Sequence, residues 1–359
     1  MTSIRIYEPD LMYRRGFNGF YRHFLSALVE NMGARVTDDP RPLLRMIKPR
    51  EHESCWVEWN GALVFFDMSD HVHLFDLDAL KRCSVYFKAN LHRGIARRVF
   101  IENDLMACES KLSSFLFFSE GLEDFERDAR RRRFWSMDRP KYDVCCIMGV
   151  YENLVRDGHR SPFECGEEPM TPASYHFWVR WHVVQALKQE GIPGYYRLTS
   201  RGNRSLEDGV SVFGNLSRRQ FSRRISDGQI TVVSTLPHAL FPWKASESFT
   251  LGRPILIEQA PLTETPAPFM PLAGEHFLEL LPGMGEIDGL VPLSDPASYR
   301  VLARIPMAHF RERVVWLRSV LAGHARLAEM GAACRKFAER AYDKKTVAEY
   351  ICSEVEKRI

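Results

Sequence analysis

The sequence lacks the features that mark several common classes of protein. It contains no apolar run approaching the roughly 18 residues that a membrane span requires, and residues 1–10 have no apolar core typical of a signal peptide. Neither a P-loop nor a GxGxxG sequence is present, so ATP and nicotinamide binding through those motifs has no support. Repeats and low-complexity tracts are also missing. We therefore expect a globular protein that is soluble or at most peripheral to a membrane.

Cysteine and charge exclude further classes. The eight cysteines show no CxxC pair and no spacing typical of a zinc site. Since several lie in apolar runs, where a free cysteine acts as a small hydrophobic residue, we expect a reducing, cytoplasmic compartment. The net charge of +3 is small for 359 residues and argues against nucleic acid as a partner. With 45% hydrophobic and 26% charged residues the chain is globular, and its length predicts two domains.

The order of apolar and amphipathic segments predicts two α/β lobes. The first has strands at 3–7, 34–37, 55–57, 62–66, 85–87 and 116–118, with a helix near 20–32. The second has strands at 143–150, 194–198, 230–233 and 255–257, with helices at 175–190 and 217–226. Alternation of strands and helices predicts parallel sheets. We divide the chain into an N-terminal lobe (1–137), a C-terminal lobe (138–325) and C-terminal helices (326–359).

The most informative segment is 230–259, whose pattern is strand, loop, helix and strand. Pro242 suits the first helical position, Gly252 suits the residue just past the helix end, and Pro254 prevents continuation. Lys244 and Glu247 are three residues apart and share one face of this helix. They lie near the carboxyl end of the preceding strand, where open α/β sheets bind ligands. The alternative interpretation is a solvated Lys–Glu pair on an ordinary helix.

The sequence WKASESFTLGRPI at residues 243–255 resembles the donor-binding segment of GT-B-fold glycosyltransferases, where an acidic residue, a short run, Gly, any residue and Pro bind the nucleotide ribose. The resemblance implies an α/β chain with two Rossmann-like lobes facing a cleft and a helical C-terminal tail. It also implies that Glu247 accepts hydrogen bonds from ribose hydroxyls of a UDP-, GDP- or CMP-linked sugar. Many retaining members have a second Glu eight residues earlier, where this chain has Ala239. An inverting reaction is therefore favoured.

Four side chains of the second lobe are candidates for binding the donor phosphates or sugar. Arg197 and Arg201 lie at and beyond the end of the strand 194–198, where guanidinium groups bind phosphate in bidentate fashion. Lys244 lies at the positive end of its own helix, which favours an anion. His238, in the loop before that helix, is a candidate hydrogen-bond donor. Solvated loop arginines fit the same pattern equally well.

The acceptor base is expected in the first lobe. The segment 67–73 follows the strand 62–66 and concentrates two carboxylates and two imidazoles at a strand end. We predict Asp70 as the base and His71 as its substitute; an Asx turn with exposed histidines is the alternative. Glu8 and Asp10, after the first strand, are the next choice of base. Lys88, Asn90 and His92 follow another strand and are candidates to line the acceptor pocket, with a solvated loop as the alternative.

Two charged motifs bear on metal and membrane binding. The sequence Asp76-Leu-Asp78 has the pattern of a metal-binding DxD motif, but we expect it to begin a helix and not to bind a metal. The reaction is therefore predicted to be metal-independent. The run 130–133 of four arginines, followed by Phe134 and Trp135, fits either peripheral contact with an anionic membrane or a solvated helix face.

Together these features predict a metal-independent glycosyltransferase that moves a sugar from a nucleotide sugar to a glycan, lipid-linked or other acceptor. Two alternatives remain open. One is a nucleotide- or glycan-binding protein that keeps both lobes and performs no chemistry, and the other is a glycosyltransferase that modifies nucleic acid.

Overall fold

The computed structural model describes residues 3–7, 19–37, 54–69, 72–116, 118–119, 122–134, 140–150, 158–161, 172–199, 211–212, 216–233, 243–258, 263–280 and 307–359. Several residues singled out above lie outside these ranges, namely Glu8, Asp10, Asp70, His71, Trp135, Arg201, His238, Ala239 and Pro242.

The first sheet contains β1 (Ile4–Tyr7), β2 (Arg35–Thr37), β3 (Ser54–Trp59), β4 (Ala62–Asp67), β5 (Val85–Lys88) and β6 (Leu112–Ser114), in the order β2-β1-β3-β4-β5-β6. Its helices are α1 (Gly19–Met32), α2 (Leu77–Arg82) and α3 (Arg93–Glu102), with a 3₁₀ turn at Met106–Lys111. The strand expected at 116–118 lies at 112–114 instead. Since the carboxyl ends of β4, β5 and β6 share one edge, the residues that follow them lie together.

One strand departs from the all-parallel prediction for this lobe. β3 runs antiparallel to both β1 and β4, whereas the other paired strands are parallel. The cause is a two-residue hairpin, in which Asn60 and Gly61 have φ values of 50° and 86°. Asn-Gly is the commonest sequence for this turn because both positions require positive φ.

The second sheet contains β7 (Tyr142–Gly149), β8 (Gly194–Thr199), β9 (Ser211–Val212), β10 (Gly228–Val232), β11 (Ile255–Ile257) and β12 (Phe277–Glu279). The strands are all parallel in the order β12-β11-β10-β7-β8-β9. Counted from β7 as strand 1, this is the 3-2-1-4-5-6 order of dinucleotide-binding sheets. The order reverses between β7 and β10, so the expected ligand crevice lies outside the carboxyl ends of these two strands.

Helices on both faces cover the second sheet: α4 (Leu122–Phe134), α5 (Pro172–Gln189), α6 (Arg218–Asp227) and α7 (Trp243–Thr250). α6 begins at a capping box in which Ser217 and Gln220 bond each other's backbone N–H. α4, which lies in the range assigned above to the N-terminal lobe, places Phe125 in one cluster with Cys145 and Ile147 of β7. It therefore packs on the second sheet, and the division into domains stays a prediction.

The C-terminal helices α8 (Met307–Ala322), α9 (His324–Ala341) and α10 (Lys344–Glu356) complete the chain. α10 packs on α1 and β6, where Tyr350 donates to the Ser114 carbonyl oxygen at 2.6 Å and Ser113 donates to the Glu354 carboxylate at 2.6 Å. The tail thus returns to the first sheet. The predicted architecture, two α/β lobes followed by helices, is confirmed.

Three smaller expectations also concern this fold. Asp76 caps α2 by accepting the Ala79 N–H at 2.9 Å, so the DxD letters open a helix as predicted. The seven described cysteines are all free. Six of them are buried and Cys352 is half-buried, while Cys165 lies outside the described ranges. Among the helices in the described ranges, none combines the length and apolarity of a membrane span.

A glycine-to-glycine contact joins α9 to the end of α7. Gly252, with φ of 68°, ends α7, and a Cβ at Gly331 in α9 would lie 2.6 Å from the Gly252 carbonyl oxygen. We expect Gly331→Ala to destabilise the protein by about 1–3 kcal/mol in urea unfolding, because overpacking outweighs the gain of about 1 kcal/mol in helix propensity. The exposed neighbour Ala332→Ser is the control and should change stability by less than about 0.5 kcal/mol. A variant Gly331→Ala that is as stable as the wild type would contradict the close contact.

Candidate functional site

The helix α7 lies between the two lobes. Every residue from Ala245 to Thr250 is buried, although four of the six are polar. Ser246 donates to the Trp243 carbonyl oxygen at 2.6 Å and Thr250 to the Ser246 carbonyl oxygen at 2.8 Å, so part of this polarity is satisfied within the helix. Lys244 and Glu247 bond to neighbouring elements, and these contacts define the site.

Lys244 reaches from α7 to the carboxyl end of β7. Its ammonium donates to the Ile147 carbonyl oxygen at 2.8 Å and lies 5.8 Å from the ring centre of Phe221. Loss of hydration, followed by the charge of Arg180, lowers the pKa of Lys244 from 10.5 to about 8, and the Glu247 carboxylate partly offsets this. Burial and a neighbouring cation therefore both disfavour the charged form of Lys244.

Arg180 approaches the same strand end from the other face of the sheet. It lies in α5, whose apolar side packs on Val144 and Cys146, whereas Ile147 faces α4 and α6. The Arg180 guanidinium donates to the carbonyl oxygen of Gly149, the last residue of β7. Two cations thus converge on the end of β7, at the point where the strand order reverses. A phosphate near both cations would relieve their mutual repulsion, so this position is a candidate anion site.

Glu247 lies one turn along α7 from Lys244 and faces the first lobe. It is 2% exposed, and its carboxylate accepts a hydrogen bond from the Ser119 hydroxyl at 2.5 Å. The Ser119 N–H also approaches the Ser246 hydroxyl oxygen at 3.3 Å. The residue that the sequence assigns to a ribose is therefore a buried carboxylate bonded to a hydroxyl group.

Arg197 lies on β8, the strand next to β7. It is opposite Ile147 in the sheet register and so points to the same face as Lys244. Its guanidinium donates to the Tyr195 hydroxyl at 3.4 Å. The structure thus brings Lys244 and Glu247 together on one helix and places Arg197 on the neighbouring strand. Arg201 and His238 lie outside the described residues.

The first-lobe candidates are tied into the protein interior. Lys88 is fully buried, and its ammonium lies 3.0 Å from the Asp67 carboxylate, which also accepts the Tyr86 hydroxyl at 2.6 Å and the Ser69 N–H at 2.9 Å. The expectation that Lys88 lines an acceptor pocket is wrong, because its charge is neutralised inside the fold. Asn90, which is 1% exposed, donates to the Ser69 carbonyl oxygen at 3.3 Å.

This first-lobe network fixes the turn that precedes Asp70. The Ala89 N–H adds a bond of 2.9 Å to the Asp67 carbonyl oxygen, so the ends of β4 and β5 are tied together. His92 caps α3 by accepting the Ile95 N–H at 3.3 Å. Asp70 and His71 themselves lie outside the described ranges. Within those ranges, no three His, Cys, Asp or Glu side chains are grouped so that they could hold a metal ion.

Sequence reasoning missed Arg180 and Ser119. Arg180 follows three apolar residues of α5, Phe177, Trp178 and Val179, and a single arginine in such a stretch is only a weak signal of a half-buried cation. Ser119 follows an aromatic run and belongs to no motif. Both make their contacts with residues distant in sequence, so no local pattern reports them.

No family model and no curated protein sequence matches the chain. Similar solved structures include HepE of Anabaena with UDP and glucose, at 11% identity and a TM-score of 0.45, covering 82% of this chain and 71% of that one. TarM of S. aureus with UDP, fondaparinux and alpha-GlcNAc-glycerol has 10% identity and a TM-score of 0.41, covering 80% and 49%. A glycosyltransferase from Rickettsia africae has 8% identity and a TM-score of 0.45, covering 96% and 82%. The function of this chain is therefore inferred from its own residues.

The lowered pKa of Lys244 predicts how anion binding depends on pH. An anion pairs with the charged lysine, and the free protein loses this charge as the pH rises through about 8. We expect the affinity for pyrophosphate, measured by calorimetry, to fall by up to about tenfold per pH unit above pH 8. Lys244→Arg should bind with much less dependence on pH between 7 and 9.5, because arginine stays charged.

The matched control for this measurement is Lys345→Arg, an exposed lysine on α10. It should keep the pH dependence of the wild type. If Lys244→Arg shows the same decline in affinity as the wild type, the titrating group is not Lys244.

Proposed function

We propose that this chain is a glycosyltransferase that moves a sugar from a nucleotide sugar to an acceptor hydroxyl. The observation that carries the proposal is the position of Lys244, Arg180 and Glu247 around the carboxyl end of β7, at the reversal of strand order. Lys244 and Arg180 are two cations for phosphate groups. Glu247, on the same helix as Lys244, is a carboxylate for ribose hydroxyls.

The donor is oriented by α7. In this proposal its phosphates lie between Lys244 and Arg180, and its ribose hydroxyls donate to Glu247 one helical turn away. Arg197, on the same face of the sheet, is proposed to complete the phosphate site together with Arg201 and His238, which lie outside the described residues. The nucleobase of the donor is proposed to be uracil, guanine or cytosine, and binding of a panel of nucleotides distinguishes them.

The reaction follows from the charges around the donor. When the bond between the sugar and the phosphate breaks, negative charge develops on the leaving phosphate, and the two cations stabilise that charge in place of a metal ion. Asp70 is proposed to accept the proton of the attacking hydroxyl, with His71 as its substitute. The fixed turn at Asp67–Ser69 would hold this base in position. Inversion follows from direct attack.

The proposed acceptor is a glycan or a lipid-linked sugar. The helix α4 offers Arg130, whose side chain is 72% exposed although it lies 3.5 Å from Glu126, for contact with an anionic membrane surface. A membrane-bound acceptor would be reached through that contact.

A second candidate function is nucleotide or glycan binding without chemistry. It is favoured by one observation: among the described residues at the ends of β4 and β5, the carboxylate of Asp67 and the ammonium of Lys88 are neutralised by each other and face no open site. Under this alternative the nucleotide sugar binds and is not consumed.

The donor site is tested by Glu247→Ala. We expect the affinity for the nucleotide that binds best among UDP, GDP, CMP, dTDP and ADP to fall by about 10- to 100-fold, because hydrogen bonds to a charged group are lost. Isothermal calorimetry without added metal provides the measurement. The control Glu349→Ala removes an exposed carboxylate on α10 and should bind as the wild type does. Equal affinities in Glu247→Ala and the wild type would remove Glu247 from the site.

The base is tested by Asp70→Asn. We expect release of nucleotide from the sugar donor, in the presence of a glycan acceptor panel, to slow by at least about 100-fold while donor affinity stays unchanged. His71→Gln should slow the reaction less. A fully active Asp70→Asn variant would transfer the role to His71 or to the Glu8 region, and wild-type binding without any turnover would favour the second candidate function.

A further inference from the structure

The contact between Ser119 and Glu247 has the chemistry of a ligand contact. The Ser119 hydroxyl oxygen lies 2.5 Å from a Glu247 carboxylate oxygen, and both side chains are 2% exposed. A ribose hydroxyl bound to the same carboxylate would make the same kind of bond, an O–H donor to a carboxylate oxygen. The first lobe therefore presents to Glu247 the group that the proposed donor would present.

We infer that Ser119 is a donor-site residue that bonds to the Glu247 carboxylate while no nucleotide is present and is exchanged for a ribose hydroxyl when the donor binds. The inference rests on the proposed function, in which Glu247 binds the ribose. No covalent bond changes in the exchange, since one hydroxyl donor replaces another on the same carboxylate.

Burial explains why such a partner is needed. A carboxylate removed from water is costly unless it accepts hydrogen bonds, and Glu247 lies in a helix whose following residues are all buried. Ser119 supplies a donor in the nucleotide-free protein. A ribose hydroxyl that takes the same carboxylate oxygen displaces this bond, so the apparent affinity of the nucleotide is lower than it would be without the Ser119 hydroxyl.

The position of Ser119 is fixed by its aromatic neighbour. Phe118 is fully buried, with its ring centre 4.8 Å from that of His23, 6.0 Å from Tyr342 and 6.5 Å from Phe269. Because the preceding residue is anchored in the first-lobe core, loss of the Ser119 bond loosens a direct link between that core and α7. Donor binding and the contact between the lobes are thereby coupled.

The test compares nucleotide affinity in Ser119→Ala and in a variant that loses the same type of bond elsewhere. The probe is the nucleotide that binds the wild type in the panel above. We expect Ser119→Ala to bind it more tightly, by about 3- to 10-fold, because the competing hydroxyl is gone. The control is Ser113→Ala, which removes a buried serine bond of 2.6 Å to the Glu354 carboxylate and should leave nucleotide affinity unchanged.

A double variant provides the second readout. If Ser119 acts only through Glu247, the double variant Ser119→Ala, Glu247→Ala should bind the nucleotide with the affinity of Glu247→Ala alone. The reason is that the carboxylate for which the Ser119 hydroxyl and the ribose hydroxyl compete is then absent. An additive effect would place the action of Ser119 elsewhere and overturn the inference.

The remaining outcomes separate the inference from the proposed function. If the wild type binds a nucleotide, Glu247→Ala weakens binding and Ser119→Ala binds equally or more weakly, the donor site stands and the exchange is wrong. If the wild type binds none of the nucleotides, both the donor site and the exchange are wrong. Tighter binding by Ser113→Ala to the same degree as Ser119→Ala would also overturn the exchange, because general loosening of the fold would then explain both.

Discussion

The burial of α7 is the constraint on which the relation between the two lobes depends. Residues 245–250 of this short helix are all buried and four of the six are polar, so their polar groups need hydrogen-bond partners within the helix or on the elements around it. Lys244 donates a hydrogen bond to the end of β7 in the second sheet, and Glu247 accepts one from Ser119 in the first lobe. The same side chains that satisfy the helix therefore connect the two sheets.

The C-terminal helices hold α7 from a third side. Gly331 allows α9 to approach the backbone of Gly252, where a larger residue would meet the carbonyl oxygen. The chain then continues into α10, whose Lys344 pairs with Glu30 of α1 at 2.7 Å and with Glu123 of α4 at 3.2 Å. The tail thus fastens α1, α4 and α7 with one continuous segment, so the proposed donor helix has little freedom to move independently of either lobe.

The strand, loop, helix and strand of segment 230–259 could be predicted from the sequence because the boundaries of these elements depend on single residues. Gly252 takes a positive φ and Pro254 cannot continue a helix, and the strand Ile255–Ile257 lies where it was expected. The Asn60-Gly61 pair is likewise a local signal, because this dipeptide favours a tight hairpin, and it is the reason that the all-parallel prediction for the first sheet is wrong. Other features depend on contacts between segments that are distant in the sequence, so no short stretch of sequence reports them. They are the strand order, the burial of Lys88 and the contact of Arg180 with the end of β7.

Two lysines show why burial by itself does not identify a binding site. Lys88 is fully buried, but its ammonium lies 3.0 Å from a carboxylate that two further donors help to stabilise, so the group is complete within the fold. Lys244 bonds to a carbonyl oxygen, and the larger charge effect on its pKa comes from another cation, Arg180. A fold that holds two cations together gains stability when an anion arrives, whereas a neutral pair gains nothing. The balance of charge around each lysine, and not its depth, is the reason that Lys244 is proposed for ligand binding and Lys88 for structure.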